Sequence, residues 1–453
     1  MQIKKNQLFF SPSDLITFSE SKFASHMERC LINDNKYSKF IDQADPLLKK
    51  LQEKGFEHEK LFLKSLKESG KSVIEIEKTK NEIRIKQTKI AMQKGVDVIA
   101  QASLEKDKFG GIADFLIKVQ GQSKLGDYHY EIWDTKLSKK MKPYFAIQLC
   151  CYAEMLENIQ GLLPKKVVII LGDNKINNLK LKDYFGYYKS LKLNFINFHN
   201  NWTLNCKPDP FESSSHGRWS EYAQKILDKK RHLSLIANIT KSQIKRLENI
   251  NIKTIDGLVS SIRKSVPKLN RDIFERLKSQ AKLQILSEKK DKPSYEILPH
   301  DNDRLIGLSL LPPHSNSDVF FDLEGLPHIE GGLEYLWGSV YFDKFGKRQF
   351  KDFWGHEQIE ERQAFSSFID WVFKLWQKDP KMHIYHYGSY EITALKRLMG
   401  RYGLKEHKLD TLLRNKVFVD LYTVIRNGVL IGIPSYSIKY VEAIYRDKRE
   451  TEV

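Results

Sequence analysis

Asp114 closes a Gly111-Ile-Ala-Asp114 turn, and Asp134-Thr-Lys136 closes the β-patterned run Tyr128-His-Tyr-Glu-Ile-Trp133. An acid followed one strand later by acid-x-lysine can carry out metal-assisted phosphodiester hydrolysis. Two carboxylates offer the hard oxygen ligands that Mg²⁺ or Mn²⁺ takes. A lysine beside them can position the attacking water and stabilise charge developing on phosphorus. The same residues have a plainer reading. Acids and lysines near strand ends are commonly solvated or salt-bridged, and acid-x-lysine recurs by chance in lysine-rich chains.

The neighbouring elements add to the pattern. Pro143 can open a helix, since a proline is tolerated in the first turn. Within that helix Gln148 and Tyr152 are four apart and share a face, beside an apolar stripe of Ile147, Cys151 and Met155. This polar pair is either half-buried packing or a support that points at the carboxylates and holds a substrate backbone. Upstream, Gly55-Phe-Glu-His-Glu59 reads as the start of an amphipathic helix running through Leu66 and stopped by Gly70. His58 has Leu61 and Phe62 three and four residues on, which sets it at the apolar side. It is either a core histidine or a neutral imidazole able to bind a divalent metal.

In chain order these are Gly-x-x-His (55–58), Gly-x-x-Asp (111–114), Asp-x-Lys (134–136) and Gln-x-x-x-Tyr (148–152). The set resembles the RecB branch of the PD-(D/E)XK nucleases, and Ser11-Pro-Ser-Asp-Leu15 resembles that branch's usual start. The resemblance implies His58, Asp114 and Asp134 as metal ligands and Lys136 as the catalytic lysine. It implies Gln148 and Tyr152 as active-site support. Close relatives often carry four cysteines for an iron–sulfur cluster, one early and three after the Gln–Tyr helix. This chain has Cys30, Cys150, Cys151 and Cys206, and its stretch Pro208–Trp219 has Ser, His and Gly where the late cysteines would fall. A cluster needs four thiolates. The expectation is therefore Mg²⁺ or Mn²⁺ with no iron–sulfur cluster and no structural zinc, and reduced thiols as in the cytoplasm.

Composition bounds the rest. A chain of 453 residues holds two to four domains, and 41% hydrophobic residues supply real cores. Lys+Arg 75 against Asp+Glu 57 gives a formal charge of +18. Such a surface attracts phosphate polymers by counterion release, DNA being the expected partner. A lysine-rich codon bias would raise the charge as well. The N-terminal residues lack the apolar stretch of a signal peptide, and no apolar run is long enough for a membrane helix.

An α/β plan follows along the chain. Residues 1–205 read as a restriction-endonuclease-like α/β domain. Residues 206–220, rich in Pro and Ser, read as a connection, and a basic helical segment extends to 288. There Thr240 caps one short helix and Thr254 the next, around Asn249-Ile-Asn-Ile-Lys253. This resembles a helix-hairpin-helix module, with asparagines where glycines usually stand. It is either a contact to the DNA backbone or a structural spacer. Residues 289–317 read as a polar linker.

A last domain, 318–453, opens with Asp318-Val-Phe-Phe-Asp-Leu-Glu-Gly325. Strand alternation puts Asp322 and Glu324 on one face, where they repel unless a cation lies between them. Strands follow at 335–341 and 348–354. Ile384-Tyr-His-Tyr-Gly-Ser-Tyr-Glu391 then runs into a helix, and Val419-Asp420 precedes another. This resembles an RNase H-like domain of the DEDD exonuclease kind, with Glu391 where Asp is usual. The resemblance implies a second metal site at Asp322, Glu324 and Glu391. The family's last acid has no counterpart before Arg449-Glu-Thr-Glu-Val453, so the domain is expected to be incomplete and this site impaired. The order of the parts resembles a family of bacterial RecB-like nucleases.

Overall fold

A computed structural model describes residues 1–4, 7–299, 305–327, 329 and 331–446. Arg449–Val453, where the sequence expects the last domain to break off, lies outside the described residues. Contacts divide the chain into two units, Met1–Lys229 and Lys230–Val453.

In the first unit an antiparallel pair, β1 (Gln2–Lys4) and β2 (Gln7–Phe9), leads into α1 (Pro12–Glu20). Ser11 caps α1. The Asp14 carboxylate accepts from the Ser11 N–H at 2.7 Å, the Ser11 hydroxyl accepts from the Asp14 N–H, and Pro12 takes the first turn. Next come α2 (Lys22–Asn33) and α3 (Pro46–Glu68). The third helix starts at Pro46 and not at the expected Gly55, because Asp45 accepts from the Leu47 N–H at 2.8 Å and proline suits the first position. Its end before Gly70, at φ 75, agrees with the sequence reading.

The unit continues with β3 (Val73–Glu75), α4 (Asn81–Gln93), β4 (Val98–Lys106), β5 (Phe109–Ser123) and β6 (Gly126–Lys136). Then come α5 (Pro143–Gln160), β7 (Lys166–Leu171), β8 (Ile176–Lys180), α6 (Lys182–Asn200) and α7 (Ser220–Lys230). The strands form one six-stranded sheet in chain order. β4, β5 and β6 pair antiparallel, while β6 and β7 pair parallel across the α5 crossover. Alternation sorts the side chains into two cores. Val98, Ala100, Phe115 and Ile117 pack with Leu66 of α3. Ile99, Leu116, Ile132 and Ile169 pack on the other face with Leu15, Leu149 and Phe195 of α1, α5 and α6.

The expected connection at 206–220 is packed structure. Trp219 is fully buried with Phe23, Met27 and Cys30 of α2. Arg218 pairs with Glu28, and the Ser220 N–H donates to Asp42 at 2.9 Å.

The second unit opens with α8 (Lys241–Glu248), α9 (Ile255–Val259) and α10 (Arg271–Ser287), with Thr240 and Thr254 capping as expected. Between α8 and α9 the amides are committed. Ile250 and Ile252 donate to the Leu247 carbonyl, and Asn251, at φ 65, donates to Glu248. These N–H groups close the hairpin and do not point outward for a phosphate. The polar 289–317 segment contributes β9 (Tyr295–Ile297).

Then follow β10 (Val319–Leu326), β11 (Leu333–Phe342), β12 (Arg348–Trp354), α11 (Gln358–Lys378) and β13 (Ile384–His386). The last labelled elements are α12 (Tyr390–Tyr402), α13 (Glu406–Arg414), β14 (Phe418–Asp420), α14 (Leu421–Gly428) and β15 (Val429–Ile431), which pairs with β9. A five-stranded sheet runs β12-β11-β10-β13-β14, antiparallel in its first half and parallel from β10 onward. Phe321 and Leu323 of β10 face a core built with Phe365 and Phe368 of α11 and Leu395 of α12. The opposite face of β10 carries Phe320, Asp322 and Glu324, all exposed.

Candidate active sites

In the first unit Asp114, Asp134 and Lys136 meet where the pairing of β5 with β6 stops, on the face covered by α5. The β5–β6 ladder ends at Phe115↔Trp133. Beyond it, Asp114 Oδ2 takes the place of a strand partner. It accepts from the Thr135 N–H at 3.0 Å and the Thr135 hydroxyl at 3.1 Å. Asp134 is 2% exposed, and its Oδ2 lies 2.6 Å from Lys136 Nζ. That contact is an ion pair, with the Lys136 ammonium as the charge partner of this buried oxygen. Burial and the charge of Asp114 push the Asp134 carboxyl up to about 7, against the pull of Lys136. Burial opposes the Lys136 charge, but Asp134 and Asp114 raise its pKa on balance. The ammonium also lies 5.6 Å from the Phe145 ring of α5.

Tyr152 and Gln148 stand over this group. Tyr152 is buried, its pKa is raised by burial and then by Asp134 and Asp114, and Gln148 lies at its hydroxyl. Gly111 is required by that approach. A Cβ there would come within 2.9 Å of the Tyr152 ring and 3.1 Å of Pro12.

His58 is half-buried on α3, and its Nε2 has no partner. Among the described residues no group of three His, Cys, Asp or Glu side chains is set to hold a metal ion. The next residue on α3, Glu59, is a carboxylate turned well away from His58 around the helix. Burial and the Asp114 charge raise the Glu59 carboxyl, and Lys136 acts on it in the other direction. The Gln101 side chain donates to Glu59. Gln101 stands opposite Asp114 in the β4–β5 register, between the pairs Ala100↔Phe115 and Ala102↔Ala113, with φ at 55. Positive φ in a non-glycine strand residue is costly, and such residues cluster where a site is being shaped. Sequence reasoning missed Glu59, although it quoted the Gly55–Glu59 run.

Two adjacent carboxylates, one of them buried, and a third carboxylate nearby are the donor chemistry that Mg²⁺ or Mn²⁺ takes. The residues fit such an ion without forming a closed cage.

In the second unit Asp322 and Glu324 share the exposed face of β10, as alternation requires. Partial burial and the Glu391 charge raise the Asp322 carboxyl, while the Leu323 N–H, 3.0 Å from Oδ1, opposes the rise. Glu391 is 4% exposed in the first turn of α12. Its Oε2 lies 3.5 Å from His386 Nδ1 of β13, and neither atom has a hydrogen-bond partner. Sequence reasoning assigned His386 no role. Asp322, Glu324 and His386 line an open groove of about 490 Å³ with Phe320, Tyr385 and Phe350. Gly325 follows because a Cβ would meet Glu334 and the Tyr390 hydroxyl. Asp420 is committed elsewhere. It caps α14, accepting from Gly388 and Tyr422 N–H at 2.8 and 3.0 Å and from the Thr423 hydroxyl at 2.6 Å.

Residues 319–453 match the model of the RNase_H_2 family, of the RNase_H superfamily. The second unit thus contains an RNase H-like domain, a fold of nuclease-like nucleic-acid hydrolysis that generally uses divalent metals such as Mg²⁺. No curated protein matches the chain. No helix among the described residues is long and apolar enough to cross a membrane.

Proposed function

We propose that this chain is a metal-dependent nuclease whose cleavage site is the Asp114–Asp134–Lys136 group of a RecB-like PD-(D/E)XK domain spanning about residues 1–205. One observation carries the reading: two carboxylates on adjacent strands, one buried with its pKa raised to about 7, stand with a lysine at 2.6 Å. A structural salt bridge would need only one acid. The second acid is unfavourable in the absence of a cation, and the arrangement keeps both.

A bound Mg²⁺ or Mn²⁺ would be held by Asp114 and Asp134, with Glu59 or His58 completing the set, and would supply Lewis-acid charge at the phosphoryl oxygens. The protein's own groups supply the rest. Thr135 fixes Asp114. Lys136 stands ready to hold the attacking water and to offset charge on phosphorus. Tyr152 and Gln148 form a polar wall for the substrate backbone. The +18 charge supports a nucleic-acid partner, and DNA is the substrate we infer. No base-reading motif is present among those recognised, which favours exonuclease over sequence-specific endonuclease action. Four free thiols support a reducing, cytoplasmic setting.

A second reading rests on the RNase H-like match and on Asp322 and Glu324 in one groove, with Glu391 beside its His386 wall. In it, that domain is a 3′–5′ exonuclease. The test is digestion of end-labelled single- and double-stranded DNA and RNA with Mg²⁺, Mn²⁺ or EDTA, using wild type, Asp134→Ala and Glu391→Gln. Loss with Asp134→Ala alone supports the first reading, and loss with Glu391→Gln alone the second. Binding without metal-dependent cleavage makes the chain a nucleic-acid scaffold and overturns both.

A further inference from the structure

A cluster of hydrogen-bond donors without acceptors lies in the first unit, formed by α2 and the end of α6. Arg29 has Nε and Nη1 buried and unpartnered. Its guanidinium lies 5.5 Å from the Trp202 ring, whose own Nε1–H is buried with no acceptor. His26, fully buried, stands 5.5 Å from the same ring, and neither of its nitrogens has a partner. His199 is 5% exposed. Its Nε2 meets the Ser25 hydroxyl at 3.0 Å, and its Nδ1 is left over.

Arg29 has no ion-pair partner among the described residues. Glu28, beside it in sequence, is spent on Arg218 at 2.5 and 2.8 Å and on the Trp219 N–H at 2.8 Å. Arg29 is half-buried and a guanidinium cannot shed its proton, so its two buried, unpartnered nitrogens are best met by an acceptor that also carries negative charge. Burial pushes both histidines down to about 4, with Lys207 adding to the effect at His26 and Arg29 at His199. Both rings are then neutral, each able to offer one N–H. The cluster presents an arginine fork, an indole N–H and imidazole N–H groups, with a lysine near. That set matches an oxyanion with several acceptor oxygens and favours phosphoryl over a carboxylate.

We infer that Arg29, Trp202, His26 and His199 form a binding site for a phosphoryl oxyanion, separate from the Asp114–Asp134–Lys136 group. The inference does not rest on the nuclease reading, and its readout is binding alone. The phosphoryl group belongs either to inorganic phosphate or to a nucleic-acid strand end.

The test uses the full chain in EDTA. Calorimetry and thermal unfolding are run with inorganic phosphate against chloride at equal ionic strength. Saturable, phosphate-specific stabilisation of wild type is expected. Trp202→Phe keeps the ring and deletes one donor, and Arg29→Gln deletes the charge. Each should weaken binding roughly tenfold or more, as the loss of a charge-assisted contact does. If Arg29→Gln does not fold, Trp202→Phe decides. A wild type that responds to phosphate only as it does to chloride overturns the site. So do folded variants that bind phosphate like wild type. A second arm compares 5′-phosphorylated, 3′-phosphorylated and hydroxyl-ended oligonucleotides. A preference for one phosphorylated end that Trp202→Phe lowers assigns the site to a strand end. Equal oligonucleotide binding with retained phosphate binding assigns it to free phosphate.

Discussion

Asp114 Oδ2 accepts both the N–H and the hydroxyl of Thr135, the residue between Asp134 and Lys136. A side chain from β5 thereby continues a ladder that backbone pairing has left. The contact fixes the spacing of the two aspartates and explains why substitutions here differ in kind. Asp114→Asn keeps an acceptor for the Thr135 amide and removes only the charge. Asp114→Ala leaves that amide unpaired as well.

Asp134 should make stability depend on pH with a definite sign. Its folded pKa of about 7 lies above the ordinary 3.8, so the folded state holds a proton more tightly than the unfolded chain. Stability therefore falls as pH rises through that window. Asp134→Asn, measured by denaturant unfolding in EDTA, should gain on wild type from about pH 4 to about pH 7 and then hold level. The gain is on the order of a few kcal/mol. A stability difference that does not move with pH would show that Asp134 is not perturbed.

Glu154 should behave oppositely. Burial alone would raise its pKa, but Lys189 at 2.5 Å, Lys192 at 2.6 Å and the Tyr188 hydroxyl hold it down to about 2. A lowered carboxylate pKa gives stability that is present above the ordinary 4.5 and is lost as pH falls toward 2. Glu154→Gln should cost roughly 2–3 kcal/mol near neutral pH, discounted for the exposed Lys189, and progressively less in acid. Equilibrium unfolding at neutral and acid pH checks this. An equal cost at both would contradict it.

Much of the first site was legible in the sequence, for local reasons. The acid, then acid-x-lysine, at the close of a β-patterned run marked Asp114, Asp134 and Lys136, and Pro143 marked the helix that carries Gln148 and Tyr152. What failed was non-local. Gly55 reads as a helix start, yet Asp45 is the real cap and the helix begins at Pro46, nine residues upstream of Gly55. The motif resemblance points to His58 and gives Glu59 beside it no role. Which of the two reaches Asp114 depends on how α3 crosses the strands, and periodicity does not encode that. Pro and Ser at 206–220 read as a connection, yet Trp219 is fully buried. Composition reports local backbone preference, not what a loop packs against. In the second unit Asp322, Glu324 and Glu391 were legible from alternation and the strand–helix junction. The commitment of Asp420 as a cap, and the burial of His386 beside Glu391, are tertiary facts.

Nucleic-acid binding should be steeply salt-dependent and weakly sequence-specific, from the +18 charge. Each phosphate contact releases counterions, so log affinity falls linearly with log salt. Titration of several unrelated duplexes across a salt series checks this. A flat response, or strong preference for one sequence, would contradict it.

The combined change Asp322→Ala and Glu324→Ala should alter cleavage by the whole chain little. Two-cation hydrolysis needs several carboxylates converging on two ions. Among the described residues Asp322, Glu324 and Glu391 form no closed set, and Asp420 is tied to three donors. Loss of most activity in this double variant would move the cleavage site to the RNase H-like domain.

The most direct measurement is the single-turnover cleavage rate of end-labelled DNA with Mn²⁺ or Mg²⁺, for wild type, Asp114→Asn, Asp134→Asn and Lys136→Ala. Circular dichroism and unfolding curves would first establish that each variant is folded. The rate should fall by roughly two orders of magnitude or more in each, as the loss of an electrostatic group at a reacting phosphate does. A folded variant of any of the three that cleaves at the wild-type rate would contradict the assignment of this site.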